Sequence, residues 1–261
     1  MKPKTNNNLI SVENAQEIIF SNFKKLKTIK KKLIDSNGFI LEKEIKALFD
    51  LPNKNNSAMD GFAVRYDDLE PNKVLKVVGR VGAEAITDYV LKKDEALRIM
   101  TGSGIPEGAD SVVPFEKTNN NPHKGDDFPD SVLINEIVKK GDNIRLSGQD
   151  YKSGETVVEG GMLIDPPIVG AIASFGINEV NVIRKPMVSV ISTGNELVMP
   201  GDQLKEGQIY DSNSFAISAA IKNSGSDFKM HRILSDNKED VDKLYEDCSQ
   251  SDLIVTIGGV S

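Results

Sequence analysis

Two nearly continuous apolar runs near the end of the sequence constrain the fold more than any other feature. They are MVSVIST at 187–193 and LIVTIG at 253–258, with FKMHRIL at 228–234 between them. Strands that are covered on both faces have this composition. Two segments with helical spacing, SNSFAISAAIKNSG and NKEDVDKLYEDCSQ, alternate with the strands. Because strand-helix-strand crossovers are right-handed, the pattern predicts a parallel α/β sheet whose strands end at one edge.

Small, hydroxylated and acidic residues lie where these strands end. In an open parallel sheet the ligand crevice lies beyond the carboxyl ends of the strands. Glycine N–H groups at a helix start suit a phosphate, and carboxylates suit a divalent metal or proton transfer. Each residue alone could merely cap a helix or form a turn, but together they predict a site. They are Thr193, Gly194, Glu196, Asp211, Ser212, Asn213, Asp236, Gly258, Gly259 and Ser261.

Residues 56–140 have a different pattern, typical of a small β module. The short alternating segments VLKVVGRV, EALRIMTG, DSVVPFE and SVLINEIV are separated by Gly, Pro, Asn and Asp. Asp60 in NSAMDGFAVR and Thr101 in RIMTGSGIPEGAD are predicted at strand-to-turn junctions, where a side chain can point outward from a rigid frame. MDG is also an ordinary turn signature, and TGSG is too weak for a phosphate loop. Asp150 in SGQDY could either bound a strand or act chemically.

Two helices are predicted outside these regions. One is capped by Ser11, and the other begins at Pro166 and ends at Gly176. The basic face of the first could be an anion or membrane patch, but a solvated helix end is the favoured interpretation. Its residues are Lys24, Lys25, Lys27 and Lys30 to Lys32. The apolar face of the first helix comprises Val12, Ala15, Ile19, Phe23 and Leu26.

Composition excludes several classes of protein. A net charge of −7 makes nucleic acid a poor partner. Cys248 is the only cysteine, and His123 and His231 are the only histidines, which excludes a disulfide framework and a Cys/His zinc site. No apolar run approaches the roughly 18 residues of a membrane span, and the N-terminus has no apolar signal region. We therefore expect a cytoplasmic protein of two or three modules.

Six ordered motifs carry a resemblance to a known family. They are NSAMDGFAVR, RIMTGSGIPEGADSVVPFE, IRLSGQDYKSGETV, VSVISTGNEL, IYDSNSFAISAAI and IVTIGGVS. In order and spacing they resemble the motifs of the molybdopterin molybdotransferases, the molybdenum insertases to which the C-terminal domain of gephyrin also belongs. The resemblance covers nearly the whole chain from about Ser11. One departure is LPNKNN before Asp60, which lacks the family's usual Pro-aromatic-Asp character.

The resemblance implies a multidomain fold of the α/β class with mainly-β modules. An elongated β-rich domain with an N-terminal helix would comprise 9–50 and 141–183. A β-barrel-like insertion would comprise 51–140, and a three-layer α/β molybdopterin-binding domain would comprise 184–261. Since the chain ends inside the GGVS motif, we expect this last domain to be truncated, without the family's later glycine, acidic residue and lysines.

The resemblance also implies an activity. It indicates a Mg²⁺-dependent homodimer that inserts molybdate into adenylylated molybdopterin and releases AMP, with molybdopterin adenylyltransferase as its pathway partner. The crevice would lie between the α/β domain of one subunit and the insertion of the other. Glu196 and Asp236 would be metal ligands. The implied catalytic residues are Asp60, Thr101, Asp150, Glu196 and Asp236, and the implied ligand-binding residues are Thr193, Gly194, Asp211, Ser212, Asn213, Gly258, Gly259 and Ser261.

Two other functions remain open at this point. A non-catalytic molybdopterin-binding or scaffold module would keep the contacts without turnover, which the use of gephyrin as a scaffold shows the fold to permit. An adenylyltransferase activity of the α/β domain is less favoured, because the insertion that carries Asp60 belongs to the insertases. A continuation of the gene with the glycine-acid motif and lysines would favour the enzyme.

Overall fold

The computed structural model describes residues 10–82, 88–119, 129–233 and 238–258. They fall into two compact units. The first unit contains the described residues of Met1–Lys43 and Glu159–Ser261, and the second unit is built from those of Glu44–Val158. In the described parts of the chain, no helix is long and apolar enough to cross a membrane.

Short strands outnumber helices in both units. The α-helices are α1 (Val12–Asn22), α2 (Pro166–Ala173), α3 (Ser212–Asn223) and α4 (Lys238–Cys248). The strands are β1 (Thr28–Lys32), β2 (Ile40–Leu41), β3 (Ile45–Lys46), β4 (Asn56–Ser57), β5 (Gly61–Val64), β6 (Val74–Val81), β7 (Glu95–Ile99), β8 (Ser111–Pro114), β9 (Ser131–Leu133), β10 (Ile144–Arg145), β11 (Thr156–Val158), β12 (Glu179–Ile183), β13 (Met187–Thr193), β14 (Leu197–Val198), β15 (Ile209–Tyr210), β16 (Asp227–Ile233) and β17 (Leu253–Ile257).

The first unit contains the parallel sheet that the apolar runs predict. β13 lies in the middle and pairs in parallel with β16 on one side and β17 on the other. Val188 and Val190 of β13 are buried, as expected for a central strand. Leu253 and Ile254 in β17 are each 40% exposed, although the apolar run indicated a strand covered on both faces. The difference arises because β17 is an edge strand of the described sheet.

A polar network explains the serine in the middle of this apolar central strand. Ser189 is fully buried, and its hydroxyl lies 3.0 Å from Nε2 of His231 and 2.7 Å from the hydroxyl of Ser251. Buried hydroxyl groups need such partners. Burial, followed by the nearby charge of Lys229, lowers the pKa of His231. The imidazole is therefore held in its neutral form more strongly than a solvated histidine.

An ion pair holds the amino ends of β13 and β17 together. The guanidinium of Arg184 donates two hydrogen bonds to the carboxylate of Asp252, at 2.7 and 2.6 Å. The backbone N–H of Met187 donates to the same carboxylate at 2.8 Å. The hydrogen bond from Arg184 is the main reason that the pKa of Asp252 is lowered. The pair therefore fixes the register at the start of the parallel sheet.

The two helices predicted outside the β module are present in the first unit. The hydroxyl of Ser11 accepts from the N–H of Asn14 at 3.2 Å, which confirms the cap of α1. Helix α1 ends at Asn22, before Leu26, because the backbone at Phe23 is already extended. None of its residues is buried.

Helix α2 begins with Pro166, and Gly176 follows it at φ +73°. A second sheet of the unit has the order β1-β12-β2.

The second unit is the β module, and its main sheet has five strands in the order β8-β5-β7-β6-β9. Each face of the sheet has its own core. Phe62 and Val77 belong to the first core cluster, and Leu97 and Val81 belong to the second. The segment after β8 is hydrogen bonded to the segment after β9, since the N–H of Asn135 donates to the carbonyl of Lys117 at 2.9 Å. Two small antiparallel pairs, β4–β10 and β3–β11, complete the unit.

Candidate functional site

Asp60 and Thr101 are brought together although they lie far apart in the sequence. Oδ1 of Asp60 accepts hydrogen bonds from both the backbone N–H and the hydroxyl of Thr101, each at 2.7 Å. Both residues are exposed, and Oδ2 of Asp60 has no hydrogen-bond partner among the described residues. The arrangement gives a carboxylate that is fixed through one oxygen and open to a ligand through the other.

The chain around Asp60 is tightly constrained. The hydroxyl of Ser57 donates to the carbonyl of Met59 at 2.5 Å and accepts from its N–H at 3.3 Å, which closes the turn before Asp60. A Cβ atom on Gly61 would lie 2.1 Å from the carbonyl oxygen of Val113, so only glycine allows β5 to approach β8 this closely. Asp60 and Gly61 therefore form part of a tight turn, and the same turn holds the carboxylate of Asp60 in place.

Asp150 lies beside a residue that the sequence analysis missed. The guanidinium of Arg145 forms a short, exposed ion pair with the carboxylate of Asp150. Gly148, at φ +68°, turns the chain between them. The signal was present in the motif IRLSGQD, where a glycine turn separates a cation from an acid. Both residues line a hollow of about 380 Å³.

Asn56 contributes an acceptor to the same hollow. It lies directly opposite Arg145 on the β4–β10 pair, so both side chains project from the same face. Oδ1 of Asn56 is buried and has no hydrogen-bond partner among the described residues. A buried acceptor without a partner costs free energy until a donor reaches it. The hollow is therefore suited to a ligand that presents an N–H or O–H donor to Asn56.

In the first unit, the strand-end residues that are described lie in contact. Gly194 has φ +153°, and a Cβ atom there would lie 2.7 Å from Oε1 of Glu196. The carboxylate therefore folds back against the backbone of Gly194. Gly258 approaches Thr193 equally closely, because a Cβ atom on Gly258 would lie 2.8 Å from Oγ1 of Thr193. The ends of β13 and β17 meet as the sequence analysis expected.

Asp211 joins the same edge through the short β14–β15 pair. Its N–H donates to the carbonyl of Val198 at 2.9 Å, and the N–H of Ile209 donates to the carbonyl of Glu196 at 2.9 Å. Asp211 is 3% exposed, and its Oδ1 accepts from the N–H of Ser214 at 3.1 Å, which caps α3. Capping, the structural alternative for this residue, is therefore present. Ser212 and Asn213 follow it in the first turn of α3 and are exposed.

The site residues form two groups, one in each unit. Asp60, Thr101 and Asp150 belong to the second unit, and the strand-end residues belong to the first. Among the described residues, no three Asp, Glu, His or Cys side chains form a group that could hold a metal ion. Of the two expected metal ligands only Glu196 is placed. The predicted residues Asp236, Gly259 and Ser261 lie outside the described residues.

Comparison with known proteins is decisive for the family. The protein-family model of the MoeA N-terminal region (domain I and II) matches residues 10–176. The protein-family model of a probable molybdopterin binding domain matches residues 189–261. The chain belongs to the MoeA family. The first match contains Asp60, Thr101 and Asp150, and the second contains the strand-end residues. The family expected from the six motifs is therefore confirmed.

Similar proteins include curated molybdopterin molybdenumtransferases and solved MoeA structures. A molybdopterin molybdenumtransferase of Staphylococcus epidermidis is 36% identical, and one of Staphylococcus aureus is 34% identical; each alignment covers 97% of this chain and 60% of the relative. Two structures of molybdopterin biosynthesis MoeA proteins from Pyrococcus horikoshii have TM-scores of 0.75 and 0.83. Their identities are 32% and 26%, and the alignments cover 96% and 97% of this chain and 64% and 67% of those chains. The chain thus spans 60% of the length of these curated relatives.

Proposed function

We propose that this MoeA chain is part of an enzyme of molybdenum cofactor biosynthesis, a molybdopterin molybdotransferase that inserts molybdate into adenylylated molybdopterin and releases AMP. The observation that carries the proposal is the Asp60 carboxylate, fixed by two hydrogen bonds from Thr101 and open through its second oxygen. The similarity to molybdopterin molybdenumtransferases of two Staphylococcus species supports it. The chain would supply the N-terminal part of the full enzyme.

In this proposal Asp60 orients or deprotonates a water that attacks the phosphate of the adenylylated substrate. A carboxylate held within hydrogen-bonding reach of a water is a suitable base. Thr101 keeps the carboxylate in one orientation. The Arg145–Asp150 pair would bind a second polar part of the substrate. Gly194, Gly258, Gly259 and the α3 residues Ser212 and Asn213 would offer N–H and hydroxyl donors to the ligand. Thr193, Asp211 and Ser261 complete the proposed binding loops.

Magnesium is part of the proposal, with Glu196 and Asp236 as its ligands. Mg²⁺ in proteins is commonly bound by one or two carboxylates together with waters and substrate phosphates. A set of two carboxylates therefore fits this ion, provided that phosphate oxygens supply further ligands. Mg²⁺ would neutralise charge on the phosphate. The chain's own contribution is to place the Glu196 carboxylate against the backbone of Gly194, just after the end of β13.

The assembly is proposed from the family as well. Asp60 and the strand-end residues would meet in a homodimer, in which the β module of one subunit lies against the α/β domain of the other. The domains would be 9–50 with 141–183, 51–140 as a barrel-like insertion, and 184–261. The hydrogen bonds between the segments after β8 and β9 support the barrel-like form. Molybdopterin adenylyltransferase would be the pathway partner, and the cytoplasm the compartment.

The test is Asp60→Asn in the natural full-length protein, assayed for AMP release and molybdenum incorporation with adenylylated molybdopterin and molybdate. Because asparagine keeps the shape and the acceptor for Thr101 but loses the charge, turnover should fall about 100-fold or more. Asp67→Asn removes an exposed carboxylate from the same unit and should leave turnover unchanged. Full activity of Asp60→Asn would refute the role. A wild-type protein that binds molybdopterin but releases no AMP would favour the scaffold alternative.

A further inference from the structure

Two arginines are placed side by side on the five-stranded sheet by an irregularity in β6. The parallel pairing of β6 and β7 shifts by one residue after Val77, so that Arg80 lies opposite Arg98. Without this shift Gly79 would occupy that position. A bulge of this kind reorients the side chains that follow it. The bulge is therefore the reason that two cations are neighbours across the strands.

The core clusters confirm that the bulge turns the strand over. Val77, before the bulge, belongs to the first core cluster, and Val81, after it, belongs to the second. Since side chains alternate along a strand, Arg80 then projects from the face of the first cluster. Arg98 projects from that face too, because it pairs with Phe62 of the first cluster. The two guanidinium groups therefore share one face of the sheet.

Arg98 is linked to Asp60 through Phe115. Its guanidinium carbon lies 5.3 Å from the centre of the ring of Phe115. Phe115 is buried, and its ring packs edge-on against that of Phe62. The N–H of Phe115 donates to the carbonyl of Asp60 at 3.2 Å. A guanidinium that is stacked on an aromatic ring still presents N–H donors at its edge. Arg98 thus offers oriented donors over the ring of Phe115, whose backbone is hydrogen bonded to Asp60.

The charge of this arginine pair is not compensated within the described chain. Neither Arg80 nor Arg98 forms an ion pair or a side-chain hydrogen bond with any described residue. Like charges directly opposite on neighbouring strands destabilise a sheet. An anion that binds both groups would remove this repulsion, and the planar guanidinium is suited to contact two oxygens of one oxyanion.

We propose that Arg80 and Arg98 form an oxyanion-binding subsite beside Asp60. Its ligand is a tetrahedral oxyanion, either molybdate or the phosphate group of a nucleotide. The naming of these two anions rests on the proposed function, whereas the subsite itself rests on the bulge, the stacking on Phe115 and the positive charge that no described residue pairs with. Arg98 supplies the oriented contact, and the more exposed Arg80 adds a second positive charge.

The experiment measures binding by isothermal titration of the full-length protein, with sodium molybdate and with AMP in separate titrations. Arg98→Gln should weaken binding of the ligand by about tenfold or more, as expected for a lost charge-assisted hydrogen bond. Arg98→Lys should give an intermediate loss. Lysine keeps the positive charge but lacks the planar guanidinium that can donate to two oxygens of one oxyanion. Arg80→Gln should have a smaller effect. Lys93→Gln, which removes an exposed cation from the same unit, should change nothing.

The outcomes separate the two ligands and the two proposals. Weaker binding of molybdate alone assigns the subsite to molybdate, and weaker binding of AMP alone assigns it to the phosphate. Unchanged binding of both by folded Arg98→Gln and Arg80→Gln overturns the subsite, as does a wild-type protein that binds neither. Asp60→Asn should remove turnover without weakening the binding of either anion, because it takes away a negative charge that repels anions. If Asp60→Asn keeps turnover but Arg98→Gln loses binding, the role of Asp60 fails and the subsite stands.

Discussion

At the scale of single residues, the site is defined by close approaches that a sequence motif does not display. Asp60 is held by a threonine from another strand end, and the exposed Glu196 carboxylate lies against the bare backbone of Gly194. The Asp60 carboxylate has therefore lost part of its freedom before any ligand is present. Such prior positioning reduces the entropy that binding or catalysis must overcome.

Gly194→Ala tests the contact between the strand-end loop and Glu196. A methyl group there would lie 2.7 to 2.9 Å from three atoms of the Glu196 carboxyl group, at a φ of +153° that alanine rarely adopts. We expect a loss of about 1–3 kcal/mol in the free energy of unfolding, measured by urea denaturation. Gly201→Ala is the control, since it has a positive φ but no atom within 4 Å. Equal losses in both variants would show that the contact with Glu196 contributes nothing.

At the scale of secondary-structure elements, polar contacts decide how the strands meet. The Arg184–Asp252 pair joins the amino ends of β13 and β17, and the Ser189–His231 contact joins β13 to β16. The apolar spacing of these strands predicted that they form one parallel sheet. It did not predict which residues are opposite, because every apolar residue in such a run packs about equally well in several registers.

Asp252→Asn tests the ion pair through its dependence on pH. The hydrogen bond from Arg184 lowers the pKa of Asp252 in the folded protein. The contribution to stability is therefore fully present above the unfolded pKa of about 3.9 and is lost as the pH falls through the folded pKa. We expect the variant to be less stable by about 1 kcal/mol at pH 7. In urea denaturation the difference should shrink below about pH 4; a difference that is independent of pH would contradict the assignment.

At the scale of the whole molecule, two units with separate cores carry the two groups of site residues. The first core cluster of the second unit is built around Phe62, and the parallel sheet of the first unit is built around Val190. Both side chains are fully buried. Because the two units have separate cores, the chain need not unfold in one step.

Two core truncations test whether the units are stabilised separately. Phe62→Ala should cost about 3–5 kcal/mol and Val190→Ala about 2 kcal/mol, because each leaves a cavity. The measurement is native-state hydrogen exchange followed by peptide mass spectrometry. Phe62→Ala should speed exchange in β5, β7 and β8, and Val190→Ala in β13 and β16. Equal acceleration in both units by either variant would show one cooperative structure.

The sequence by itself determined the elements and the family. The apolar runs gave the parallel sheet, the alternating segments gave the β module, and Ser11 and Pro166 marked two helix starts, because these signals are local and periodic. The six motifs also predicted the MoeA family, which the comparisons confirm. Asp60 and Thr101 were correctly predicted at strand-to-turn junctions.

Only the tertiary structure decided how distant residues meet. The Asp60–Thr101 contact joins positions 41 residues apart, and the Arg80–Arg98 neighbourhood depends on a single extra residue in β6. The exposure of β17 and the early end of α1 also differ from the sequence expectation. The physical reason is that strand register and burial are set by packing between distant segments. A local pattern shows which side chains can face a core, and the fold decides which of them do.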